Sequence, residues 1–363
     1  MKISKPCAAD RENFQPAGPI SRTRMLPSLN GWRGVSILLV LGSHLTMVWG
    51  WPWRRNDLFI KFCDGDLGVR IFFTISGFLI TWLMVTEEQK SGAISLKHFY
   101  IRRSLRILPV YVTCLIVLAI IQTFGVGIQA EDTWLKLLTF TRNFYAGNHA
   151  APLISAHFWS LSVEEQFYLV WPLVFLALGY SFRRRIGFLL GIILLSVGWK
   201  ILALFGYYDR HVAFAFGDHS TFLYLDCIAY GCVGAMLTGA RHGSLKWLTE
   251  RLPLPVLLLA CFFIIGPEIS GLGKGLQNFG FLLLLLQSVL LPNFAPFRFL
   301  NHPWLVKIGA LSYSLYIWQQ LVFLLWPFPK LWFLSLAATF APAWISYVFL
   351  EKTFFALRAR YRA

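Results

Sequence analysis

The chain has 363 residues, of which 57% are hydrophobic and 14% charged, with a mean hydropathy of +0.59. Soluble domains carry about 25% charged residues, so the composition excludes an ordinary soluble protein and predicts an all-α, polytopic membrane protein. The formal charge of +16 does not indicate nucleic acid. The basic residues fall in short clusters between apolar runs, the pattern that membrane topology and anionic lipid select.

Residues 1–28 carry Lys2, Lys5, Arg11, Arg22 and Arg24 without apolar periodicity. They read as a disordered cytoplasmic tail with no signal peptide. Leu29–Trp49 is the first span, going outward, and residues 51–66 form an outer loop with interfacial tryptophans. The second span, Leu67–Thr86, returns inward; the third runs from Leu105 to Phe124, and residues 125–158 form the longest outer loop.

The fourth span begins in SLSVEEQFYLVWPL and stops at Arg183, Arg184 and Arg185 on the inner side. Ile186–Phe205 and His219–Leu237 are the fifth and sixth spans, with YYDRHVAFAFGDHS outside between them. An inner loop with Arg241, Lys246 and Arg251 leads to two short spans, Leu254–Ile269 and Gly275–Leu291, joined outside by a Gly-rich turn. Ile308–Trp326 and Leu331–Leu350 are the ninth and tenth, and residues 351–363 are a basic cytoplasmic tail. Ten spans put both ends on one side, and the excess of Lys and Arg in the inner loops makes that side the cytoplasm. Residues 29–350 thus form one ten-helix domain.

Four polar features stand out. Arg33 and His44 lie eleven residues apart on the first span, about three turns plus 20°, so they share a face and sit about 16 Å apart along the axis. Ionisable groups in that setting face a protein interior or a wet cavity and mark function, although Arg33 can also snorkel and His44 can serve helix packing. Arg102, Arg103 and Arg106 are spaced i,i+3 and i,i+4 at the cytoplasmic start of the third span. They either hold a polyanion through bidentate forks or simply set topology.

His157, Trp159, Glu164, Glu165 and Gln166 crowd the outer start of the fourth span. Ser162-x-x-Glu165 matches a capping box, which accounts for Glu165 but not for Glu164 or Gln166. Asp226 stands in mid-span in FLYLDCIAYGCVGAML, suited equally to an ion pair with an arginine such as Arg70 and to a direct catalytic role. Cys114, Cys227, Cys232 and Cys261 lie in apolar segments without CxxC spacing, and no metal-ligand pattern, P-loop, GxGxxG or GxSxG occurs. Histidine with a supporting carboxylate is the acid–base machinery on offer.

These segments resemble the membrane acyltransferase 3 family. LNGWRGVSILLVLGSHL is similar to its first helix with an Arg-x10-His signature, and GVRIFFTISGFLIT to its second. FYIRRSLRILPVY and HFWSLSVEEQFYLVWPL resemble the third and fourth. LDCIAYGCVGAML, KIGALSYSLYIWQQ and SYVFLEKTFFALR are similar to its later, weaker motifs. The resemblance spans residues 29–358 in order. It implies O-acyl transfer, usually acetyl, from cytoplasmic acyl-CoA to a hydroxyl of a cell-surface or exported glycan, in a bacterial inner membrane. It makes His44 the catalytic base, Arg33, Arg102, Arg103 and Arg106 contacts to the acyl-CoA donor, and Glu164 and Glu165 supporting acids. Acyl-CoA is then a substrate rather than a resident cofactor. Three positions depart from the family: Arg70 for a common Asp or other polar residue, Gln319 for a frequent His, and Thr353 for a frequent Pro. The competing reading is a transporter or flippase of glycan intermediates. Its mark would be paired broken helices in two related halves, and the sequence holds no internal repeat.

Overall fold

A computed structural model describes residues 22–49, 64–125, 131–144, 153–204, 220–240, 250–265, 272–328, 331–358 and 360. Among them the chain is helical, without strands. In a membrane this is the self-sufficient solution, because each helix satisfies its backbone groups internally. The elements are α1 (Arg22–Trp49), α2 (Gly65–Ser91), α3 (Leu96–Gln122), α4 (Glu131–Leu138), α5 (Leu153–Ala156), α6 (Phe158–Ala177) and α7 (Phe182–Leu204). There follow α8 (Thr221–Ala240), α9 (Pro253–Ile265), α10 (Leu272–Leu290), a 3₁₀ helix (Ala295–Asn301), α11 (Pro303–Leu325) and α12 (Trp332–Ser346). A π-helical turn (Tyr347–Glu351) and α13 (Lys352–Arg358) complete them.

Seven helices are long and apolar enough to cross a membrane, or eight if α10 and the 3₁₀ helix, bent by 82° at their junction, count as one span. The ten expected spans each have a helix in place. The short α9 and the polar-fronted α6, with Ser160, Ser162, Glu164, Glu165 and Gln166 in its first half, fall outside the seven. Two expectations are corrected. The first helix starts at Arg22 rather than Leu29, because Ser28 and Leu29 are fully buried and the Ser28 hydroxyl donates to Asn301 Oδ1 at 3.1 Å. The stretch 125–158 is not all loop, since α4 and α5 lie in it. Beyond Leu350 the chain stays helical to Arg358. The expected tail at 1–21 and the loops at 51–63, 206–219, 241–249 and 266–271 lie outside the described residues.

Local signals set the boundaries. Asp64 Oδ1 accepts the Leu67 N–H at 3.0 Å at the start of α2, and Gly92, at φ +71°, ends the turn after it. The Ser95 hydroxyl then caps α3 by accepting the His98 N–H at 3.3 Å.

The chain divides into two compact units. One comprises Met1–Trp32, Arg70–Ile94 and Val163–Val306, the other Arg33–Val69, Ser95–Ser162 and Lys307–Ala363. In the first unit α2 and α8 approach through glycine. A Cβ on Gly77 would lie 2.1 Å from the Ile228 carbonyl oxygen, and one on Gly231 2.0 Å from that of Thr74. Small residues are how membrane helices bring their backbones together. In the same unit Trp32 donates to Ser288 at 2.9 Å and meets Phe281 edge to face. Arg185 forks onto Glu88 at 2.6 and 2.7 Å while its guanidinium lies 3.5 Å above the Phe175 ring. Arg185, expected as a topological stop, is a buried structural ion pair.

In the second unit Gly68 admits α2 against α1, where a Cβ would come within 2.8 Å of the Ser36 carbonyl oxygen. Tyr111 of α3 donates to the Leu137 carbonyl at 2.9 Å and stacks on Phe140, whose φ of +53° turns the chain after α4. Tyr313 of α11 donates to the Ile107 carbonyl of α3 at 2.7 Å. These ties hold α1, α3 and α11 around the polar cluster described next.

Candidate active site

The second unit assembles its polar groups from three distant stretches of chain. α1 supplies His44, half-buried, with Nδ1 sealed from solvent and without a hydrogen-bond partner. The turn between α5 and α6 supplies His157, 2% exposed. The two rings meet edge to face, centroids 6.4 Å apart. α11 contributes Gln319, which interacts with His44, and Gln320, which holds His157; both glutamines are fully buried.

The Gln320 contact defines a tautomer. Its Oε1 accepts the His157 backbone N–H at 3.3 Å, a group that can only donate, so the amide oxygen faces the histidine. The same oxygen lies 2.5 Å from His157 Nδ1. In the neutral ring Nδ1 therefore carries the proton and Nε2 keeps the lone pair. Nε2 is buried and has no hydrogen-bond partner. Tyr316 fixes the turn by donating to the His157 carbonyl, and its oxygen accepts from the Ser160 hydroxyl at 2.6 Å. Arg142, 2% exposed, lies within electrostatic reach of His157, and its backbone N–H donates to Ser162 Oγ at 3.2 Å.

A second cluster in this unit surrounds Glu351 at the π-helical turn, a feature common at functional sites. Glu351 is 2% exposed and accepts the Ser314 hydroxyl at 2.6 Å. Ser346 bridges Ser314 and the Trp318 indole at 2.9 and 3.1 Å. Arg106 and Arg33 lie within electrostatic reach of Glu351, and Arg106 sits 5.7 Å from the Phe355 ring centroid. Arg102 and Arg103 are half-buried on the first turns of α3. Arg33 of α1 and Arg106 of α3 thus lie within electrostatic reach of one buried carboxylate.

Glu164, Glu165, Gln166, Asp226 and Arg70 lie in the first unit. Glu164, half-buried, accepts the Ser76 hydroxyl, and Gln166 accepts from Thr221 at 2.5 Å. Glu165 is half-buried on the same turn. The capping box is corrected: α6 already starts at Phe158, and Ser162 bonds back to the Phe158 carbonyl at 3.0 Å inside the helix. Asp226, fully buried, pairs with Lys200 at 2.6 Å. Asn278 donates to the same Asp226 oxygen at 3.0 Å and accepts from Arg70 at 3.4 Å, and Arg70 also donates to Gln277 at 2.8 Å. Of the two readings of Asp226 the geometry supplies an ion pair, with Lys200 as its partner and Arg70 linked through Asn278.

Sequence reasoning passed over Lys200, Arg142, Gln320 and Glu351. A lone lysine in the apolar run SVGWKILALF and a Gln-Gln pair inside SLYIWQQLVFLL were the available signals. For Arg142, in a segment expected as loop, there was none.

A family model described as an acyltransferase domain matches residues 26–356. The chain belongs to that family. Among its relatives is the peptidoglycan O-acetyltransferase OatA of Listeria monocytogenes, 27% identical over 90% of this chain and 55% of the relative. The O-acetyltransferase OatA of Staphylococcus aureus is 27% identical over 85% of this chain and 52% of its own length. The chain spans about half the length of these relatives. No solved structure matches it.

Proposed function

We propose that this protein is an integral membrane O-acetyltransferase that moves an acyl group from cytoplasmic acyl-CoA to a hydroxyl of a cell-surface or exported glycan. Its residues belong to an acyltransferase family, and two relatives bear the name O-acetyltransferase, one of them for peptidoglycan. The observation that carries the reading is the His44–His157 pair, two imidazoles 6.4 Å apart, each with a buried nitrogen lacking a partner. Such a nitrogen is what a general base offers an incoming hydroxyl, and positioned histidines contribute about 10²–10⁴-fold to proton-transfer catalysis.

His44 takes the proton of the acceptor hydroxyl while the oxygen attacks the thioester carbonyl. His157, held by Gln320, supports it. Arg33, Arg102, Arg103 and Arg106 hold the donor's phosphates, where guanidinium forks suit phosphate geometry. Glu164 and Glu165 are supporting acids, and Asp226 and Arg70 hold the scaffold of the first unit.

The topology that goes with this function has ten spans, residues 29–350 as the transferase domain, and both ends in the cytoplasm of a bacterial inner membrane. The basic inner loops support it, as do helices at all ten expected places. Purified protein in detergent, given labelled acetyl-CoA and an envelope-glycan extract, is expected to place label in the glycan. No transfer together with no binding of acetyl-CoA would overturn the proposal.

A further inference from the structure

The two glutamines of α11 are placed as the acyl-carbonyl site of this centre, an inference that rests on the acyl-transfer reading above. Both are fully buried. Gln320 spends its oxygen on His157 twice, so its amide group is turned away from the imidazole, and Nε2 is buried with no acceptor. Gln319 turns its side chain to His44, and its amide Nε2 is likewise buried with no acceptor. A buried donor left unmade costs about 1–3 kcal/mol, and native proteins carry few of them without a function. Here two amide donors occur on consecutive residues, each beside one of two facing histidines.

What such donors lack is an oxygen acceptor, and the chemistry of the site produces one. As the hydroxyl oxygen attacks, its proton passes to the imidazole and the carbonyl π pair moves onto the carbonyl oxygen. When the C–S bond breaks, that pair reforms the carbonyl, and the thiolate leaves and takes the proton back from the imidazolium. The transient negative oxygen needs fixed donors in a water-poor setting, the role that backbone and Asn or Gln amides fill in oxyanion holes. We propose that the Gln319 and Gln320 side-chain amides donate to the acyl carbonyl oxygen and form the oxyanion hole of this transferase.

The test pairs kinetics with a spectroscopic readout that a structural role would leave alone. Gln319→Met and Gln320→Met are each expected to lower kcat about 10²–10³-fold with little change in KM for acetyl-CoA. In a His44→Ala background that holds the donor without turnover, the infrared stretch of bound carbonyl-¹³C-labelled acetyl-CoA is expected at lower frequency than in solution. That shift should shrink in each glutamine variant. Wild-type kcat in both variants, or a carbonyl frequency that neither variant moves, overturns the oxyanion hole while leaving the transferase standing. A wild-type protein that binds acetyl-CoA but transfers nothing overturns both.

Discussion

His44 of α1 and His157 of the α5–α6 turn face one another edge to face at 6.4 Å, although 113 positions separate them in the chain. Among the described residues neither hydrogen-bonds a carboxylate. Gln320 orients His157, and Gln319 stands beside His44. The second histidine is therefore oriented by an uncharged group, which adds no charge to the membrane interior.

If His157 works with His44, His157→Ala should lower the transfer rate about 10²-fold or more with acetyl-CoA binding retained. Gln320→Ala should fall in the same direction, since the ring loses its Nδ1 acceptor. The measurement is labelled acetyl transfer alongside donor binding. A wild-type rate for His157→Ala would remove it from the site.

The donor assignment makes a separate prediction. Arg102→Ala, Arg103→Ala and Arg106→Ala should each weaken acyl-CoA binding, and the wild-type affinity should fall with rising salt as phosphate contacts are screened. Calorimetric titration reads both effects. Unchanged affinity in all three variants would retire the phosphate role and leave these residues to topology.

Lys200 and Asp226 form a buried pair at 2.6 Å, so removing one partner should be worse than removing both. Lys200→Met alone is expected to cost about 3–5 kcal/mol, because it strands a fully buried carboxylate. The double variant Lys200→Met with Asp226→Leu should recover part of that loss. Thermal unfolding in detergent separates the cases, and equal stability of the single variant and wild type would contradict a structural pair.

Glycine packing gives a prediction that involves no chemistry. Gly77→Ala would drive a Cβ to 2.1 Å from the Ile228 carbonyl oxygen. It should destabilise the protein by about 1–3 kcal/mol or prevent folding. At Gly191 nothing lies within 4 Å of the added Cβ, and Gly191→Ala should be neutral or stabilising. Expression and unfolding temperature of the two variants decide.

Much of this architecture was legible in the sequence, for physical reasons that differ by residue. Arg33 and His44 showed themselves because an ionisable group in an apolar run has few bland explanations. The helices showed themselves because membrane spans must be long and apolar. Gln320 did not, since an uncharged amide in a helix is unremarkable until a histidine 163 positions away is seen to use its oxygen. Lys200 was hidden for the opposite reason: its partner lies on a different helix, and Arg70 offered a more obvious cation. Ser162 matched a cap pattern, but α6 begins four residues earlier, on the buried Phe158, so tertiary packing overrode the local signal.

In the proposed function His44 performs the proton transfer of an acyl-transfer reaction. The most direct measurement is the rate of labelled acetyl transfer to glycan by His44→Ala, beside a wild-type sample of equal helical content and detergent-solution homogeneity. A loss of at least about 10²-fold is expected, with acetyl-CoA still bound. Transfer at the wild-type rate by the folded His44→Ala protein would contradict it.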